Sequence, residues 1–195
     1  MNKKKNITIT VIIVAVIAIL GVWFYNSPEV KLYRKNQAYL AQRQQDLKSK
    51  NQAMYESLQK SIKEGEEAVK KEPNKFDPWF ELAANYQNFG DLAKAEEAYK
   101  KALAINKLSD YAWSNLGALY MRQERYDMAK EAYLKWLEIL PDDENAYIAV
   151  AQLYATGKVS GGADAARAIL QEGIRRTNSA LLKQVLEKLN KEGKI

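Results

Sequence analysis

Three stretches of this chain, WFELAANY from Trp79, WSNLGALY from Trp113 and YIAVAQLY from Tyr147, stand 34 residues apart. Leu82, Leu116 and Val150 fall in phase, as do Ala83, Gly117 and Ala151, and Tyr86, Tyr120 and Tyr154. A fixed period of that size confines the chain to a repeat architecture, in which each unit buries its apolar face only against its neighbours. Inside each stretch the apolar residues recur at i, i+3 and i+7, one stripe of an α-helix. A second set follows in each unit: Ala95, Tyr99, Ala102 and Leu103, then Ala129, Tyr133, Trp136 and Leu137. After a three-residue insertion in GKVSGG it returns as Ala166, Leu170, Gly173 and Ile174. Each unit is therefore predicted to be a pair of antiparallel helices. A glycine inside a helix costs about 1 kcal/mol relative to alanine, so Gly117 predicts a close crossing by the second helix of its unit.

Turn and cap signals divide the chain at the same places. Asp77 and Pro78 read as a cap and a first-turn proline, Gly90 and Asp91 as the end of one helix and the cap of the next. Pro141, Asp142 and Asp143 close the second unit and open the third. Residues 180–191, ALLKQVLEKLNK, set Leu182, Val185, Leu186 and Leu189 against a polar face and read as the capping helix that a solenoid needs.

With Trp113, Leu116, Gly117, Tyr120, Ala129, Tyr133 and Pro141 in place, residues 76–176 resemble the tetratricopeptide repeat (TPR). Two positions depart from the pattern, Lys107 where it has proline and Trp136 where it has a small residue. The resemblance implies an all-α fold: a solenoid of about three repeats, 76–109, 110–143 and 144–177, with a cap at 178–195. It also implies a protein-binding face formed by the first helix of each unit. Here that face would carry Phe80, Ala84, Gln87, Tyr111, Ser114, Asn115, Ala118, Met121, Asn145, Ile148 and Gln152. Some members hold a partner's C-terminal carboxylate with lysine, arginine and asparagine on this face. Of that set only Asn115 is present, with Phe80, Ala84, Asn145 and Ala149 at the other places.

The remainder divides into a basic tail at 1–6, an uncharged apolar run at 7–25, a polar helix at 26–57 and a degenerate half repeat at 58–75. Nineteen uncharged residues would span about 28 Å as a helix, near the thickness of a bilayer's hydrocarbon. The run ends in Trp23, Phe24 and Tyr25 rather than at a small-residue cleavage site, so an uncleaved transmembrane anchor is expected. Lys3, Lys4 and Lys5 precede it, and Lys31, Arg34 and Lys35 follow; the first trio favours a cytoplasmic N-terminus and an extracytoplasmic repeat domain. The polar helix shows Tyr33, Leu40, Leu47 and Met54 every seven residues without the second apolar set of a coiled coil. It reads as a solvated stalk, and homodimerisation through it stays open.

The net charge of +6 is unevenly spread: residues 76–176 carry 12 basic and 15 acidic side chains, while 29–75 carry 11 and 7. No basic stripe with interleaved aromatics exists, and nucleic acid is not an expected partner. The chain holds neither histidine nor cysteine. That removes the usual metal ligands, nucleophiles and near-neutral bases, so neither a metal nor a cofactor nor an enzymatic activity is expected. Asp142 and Asp143 read as helix-start residues, and Ser160 has no base beside it. The function so read is that of a membrane-tethered TPR adaptor or scaffold, holding a segment of another envelope or membrane protein during assembly or export. The alternative is a permanent structural subunit of a larger membrane complex.

Overall fold

The computed structural model describes residues 20–195, all of whose regular structure is α-helical. The helices are α1 (Pro28–Lys50), α2 (Gln52–Lys71), α3 (Phe76–Phe89), α4 (Leu92–Ile105) and α5 (Asp110–Arg122). They continue as α6 (Tyr126–Ile139), α7 (Glu144–Ala155), α8 (Gly162–Thr177) and α9 (Ala180–Lys191). Local chemistry sets most of the starts. Ser27, Asn51, Asp91, Ser109, Asp143 and Ser179 each accept a hydrogen bond from a backbone N–H of the first turn. Helix α3 departs from the expected cap: it starts two residues early, so Lys75 holds the cap position without a side-chain bond and Asp77 lies in the first turn.

From α2 onward each helix packs on the next, and α3 also meets α5 while α7 meets α9. That is the contact pattern of a solenoid, with α3–α4, α5–α6 and α7–α8 as the three helix pairs. Its core is a central cluster from Val69 through Leu82, Tyr99 and Leu119 to Leu153 and a C-terminal cluster with Leu170 and Leu182, and the half-buried Tyr154 and Ile169 pack against both. Small residues sit where helices cross closest. A Cβ on Gly117 would lie 2.4 Å from the Tyr133 ring, and one on Gly173 2.6 Å from Leu182 and 2.7 Å from Tyr147. Glycine is required at both because no side chain fits.

The turns between repeats carry a device with the same period. The Trp79 indole N–H donates to the Pro73 carbonyl at 2.8 Å and that of Trp113 to Lys107 at 2.9 Å. The Tyr147 hydroxyl donates to Pro141 at 3.0 Å. One aromatic per repeat thus packs on the core with its ring and satisfies, with its polar edge, a carbonyl six residues earlier.

The all-α solenoid stands, but the N-terminal transmembrane helix expected over residues 7–25 does not. Among the described residues no helix is long and apolar enough to cross a membrane. The two described helices of sufficient length, α1 and α2, carry eight charged side chains each. Residues 7–19 of the apolar run lie outside the described residues; 20–25 are helical and give way to a turn at Asn26. The single-pass location with a cytoplasmic N-terminus goes with the anchor.

Nor is residues 26–57 a free stalk. Helix α1 breaks at Asn51 and lies back across the solenoid, with Leu47 and Asn36 buried. Arg43 donates to the Asn88 carbonyl at 3.2 Å beside the α3–α4 turn. Lys35 pairs with Glu124 at 2.7 Å in the α5–α6 turn. Gly90 and Glu124 are 34 residues apart, one repeat, and Lys35 and Arg43 are eight apart, about 12 Å of helix. Helix α1 is therefore a strap along the edge made by the turns inside successive repeats.

Candidate functional site: the face of the first helices

Helices α3, α5 and α7 hold equivalent places in the period, and α9 continues their row. The eleven residues expected to form the binding face all lie on the first three. Their exposure divides them. Tyr111 is 69% exposed, and Asn145 and Gln152 are also exposed. Phe80, Ala84, Gln87, Ser114, Asn115, Ala118, Met121 and Ile148 are half-buried.

The apolar members are held by the protein's own core. Phe80 stacks on Phe76, with ring centroids 5.5 Å apart, and meets Tyr99 at 5.9 Å. Met121 and Ala149 pack on the central cluster, and Ile148 on the C-terminal one, to which the terminal Ile195 also belongs. The Ser114 hydroxyl turns back to the Tyr111 carbonyl at 3.0 Å. Gln87 keeps its Oε1 buried with no hydrogen-bond partner among the described residues. The face is an apolar floor with a polar edge. Beyond Gln152 it continues into a cleft of about 330 Å³ walled by Ala155, Val185, Lys188 and Leu189.

Shortly before Tyr111 in the chain, two further apolar side chains that the helical pattern did not indicate are exposed, Ile105 and Leu108, the latter at 75%. Ile105 ends α4 and Leu108 stands in the turn before α5, where apolar residues have no period to reveal them. A leucine in the polar loop NKLSD was the available signal.

The strongest electrostatic feature lies behind this face. Glu96 on α4 accepts from Lys100 at 2.6 Å and from Arg125 at 2.5 Å, and the Tyr120 hydroxyl donates to it at 3.3 Å. Burial pushes the Glu96 carboxyl up, but the hydrogen bonds and charges of Lys100 and Arg125 outweigh it and hold it below its ordinary value. Burial likewise pushes the Tyr133 phenol up to about 12. Glu96, Tyr120 and Arg125 join α4 to the α5–α6 turn, so their work is structural. Among the described residues no three metal-ligating side chains stand close enough to hold an ion.

Comparison with known proteins agrees with this geometry. Sequence models of the tetratricopeptide repeat match residues 76–109 and 111–143. Solved structures of similar shape include MamA, at 19% identity over 68% of this chain and 77% of that one, with a TM-score of 0.57. The PilF protein of Pseudomonas aeruginosa matches at 20% identity over 83% and 71%, with a TM-score of 0.54. The first TPR unit of Spaghetti (RPAP3), bound to the HSP90 peptide SRMEEVD, matches at 18% over 65% and 95%, with a TM-score of 0.50. At these identities the likeness is one of fold.

Proposed function

We propose, from the premise that residues 76–109 and 111–143 of this chain are tetratricopeptide repeats, that it is a scaffold which holds another protein on the face of its first helices. Repeats of this kind are modules of protein–protein interaction and generally not catalytic. The observation that carries the finer reading is the half-buried apolar floor of Phe80, Ala84, Ala118, Met121 and Ile148 with Tyr111 standing free at its edge. Rigid aromatic side chains beside a nearly dry surface commonly supply much of an interface's energy. The client so favoured is a segment with apolar side chains at helical or alternating spacing, held with little dependence on salt. The acidic peptide bound by the RPAP3 unit is a poor match, since Phe80, Ala84 and Asn145 stand where a carboxylate clamp would need its charges. A client in the course of assembly or export in a bacterial envelope is the part of this proposal that rests on the family resemblance alone.

Tyr111→Glu tests the face, because Tyr111 is the aromatic whose loss leaves the core intact. It should abolish cross-linked co-purification of the client while leaving the thermal melt unchanged. A client retained at wild-type level means that this face is not where it binds. The second reading, a permanent subunit, predicts one client in fixed stoichiometry after size-exclusion chromatography, whereas a holding scaffold releases it.

A further inference from the structure

Helices α1 and α2 are separated by one residue. Asn51 ends the first, its N–H donating to the Leu47 carbonyl at 2.8 Å, and caps the second, its Oδ1 accepting from the Met54 N–H at 3.0 Å. No proline or glycine occurs between Pro28 and Gly65 that would forbid a straight helix through this point. The seven-residue stripe of Tyr33, Leu40, Leu47 and Met54 crosses the break without a change of phase, as it would along one continuous helix. The folded-back form uses only half of it. Leu47 is buried and Leu40 half-buried, while Tyr33 is 62% and Met54 43% exposed.

The seat of α1 is incompletely satisfied. Arg34 Nε on the strap and Gln123 Nε2 in the α5–α6 turn are buried without a hydrogen-bond partner among the described residues. The Lys35–Glu124 pair is solvent-exposed and weak. Glu124 also holds a left-handed backbone, with φ of 59°, at the place where the preceding repeat has Gly90, with φ of 101°. Its side chain meets Lys35 of the strap, so the turn keeps a strained non-glycine residue whose ion pair is with α1.

We propose that α1 is an exchangeable arm and that its partner is a second copy of this chain: two molecules dimerise by each laying α1 on the turn edge of the other. A one-residue hinge invites such exchange, because straightening it keeps every arm contact and changes only the molecule that supplies it. Straightened at Asn51, residues 28–71 become one helix of about 66 Å, long enough to carry the arm clear of its own seat. Met54, three residues past the hinge, is then covered by the crossing copy. The inference stands on the placement of α1 and is independent of where a client binds.

The absence of native cysteine makes the test direct. Full-length Lys35→Cys and Glu124→Cys chains with different tags are mixed, incubated over a range of concentrations and joined with a bismaleimide. A product carrying both tags, rising with concentration, is expected. Asn51→Ala in both chains, which removes the cap and favours a continuous helix, should raise it about fivefold per arm, the fold-change of one lost helix cap. Inserting Gly-Ser-Gly after Asn51 should return it to background. A chain carrying both Lys35→Cys and Glu124→Cys is the control: internal cross-linking of this double variant, without any two-tag product from the mixed single variants, overturns the proposal. So does a dimer seen by light scattering that yields no such product, and so does a double variant that cross-links neither internally nor between chains.

Discussion

The three helix pairs and the strap α1 are built from similar helices, yet they are held by different means. Inside the repeats every contact is backed by a neighbour in phase, as where Tyr133 fills the space over Gly117 while Trp113 closes the turn below. The strap has one buried leucine, a half-buried face and an exposed ion pair. The same chemistry therefore has different worth in the two regions. The Glu96–Arg125 pair is largely shielded from water, with side-chain exposures of 14% and 23%, whereas Lys35–Glu124 is open to it. Stability in this molecule follows the period, and α1, which lies outside it, is held by fewer buried contacts.

The largest break expected in that comparison comes from Gly117→Leu. It forces a side chain into the Tyr133 ring and should destabilise the domain by about 3 kcal/mol, read as a lowered circular-dichroism melt. Ala38→Leu on the exposed face of α1 makes a similar insertion and should leave the melt unchanged. An unchanged melt for Gly117→Leu would mean that α5 and α6 do not cross as described.

Next in size is Glu96→Gln, which leaves Arg125 without its carboxylate and should cost about 2 kcal/mol at neutral pH. Because Glu96 titrates lower in the folded chain than in the unfolded one, its contribution is present at neutral pH. It is lost as pH falls through the depressed value, below the ordinary carboxylate range. The wild-type and Glu96→Gln melts should therefore converge in acid; a gap that persists there would place the cost in packing rather than charge.

The smallest effect has the opposite sign. Glu124→Gly relieves a left-handed residue of its Cβ and should raise the Tm of the repeats by a few degrees, while the loss of the Lys35 pair makes α1 more open to hydrogen exchange. Rigidity moving in opposite directions in the two regions sharpens the contrast. Equal stabilisation of both would dissolve it.

How far the fold was legible varies in the same way. The helix pairs could be read because Leu82, Leu116 and Val150 repeat a geometry that each copy enforces on the next. Gly117 could be read because a costly residue demands a steric reason. The apolar run at 7–25 suggested an anchor from its composition alone, and no described helix supports a crossing. The candidate face was legible only in outline. Position within the repeat picked out its eleven residues, but not that Phe80, Met121 and Ile148 would rest on the core while Tyr111 stood free.

The sequence by itself determined the helices, their pairing and the order of the solenoid, since these depend on contacts between residues close in the chain and repeated three times. Only the tertiary structure decided where α1 goes. Its stripe of Tyr33, Leu40, Leu47 and Met54 suits a free stalk, a coiled coil or a strap equally well, because seven-residue spacing records which residues share a face and not what that face meets. The choice was made by contacts 45 to 89 residues away, Arg43 against the Asn88–Gly90 turn and Lys35 against Glu124, where the α3–α4 and α5–α6 turns come to lie about one repeat apart on a common edge. Contacts so distant in sequence leave no local period, and so the chain conceals them until it is folded.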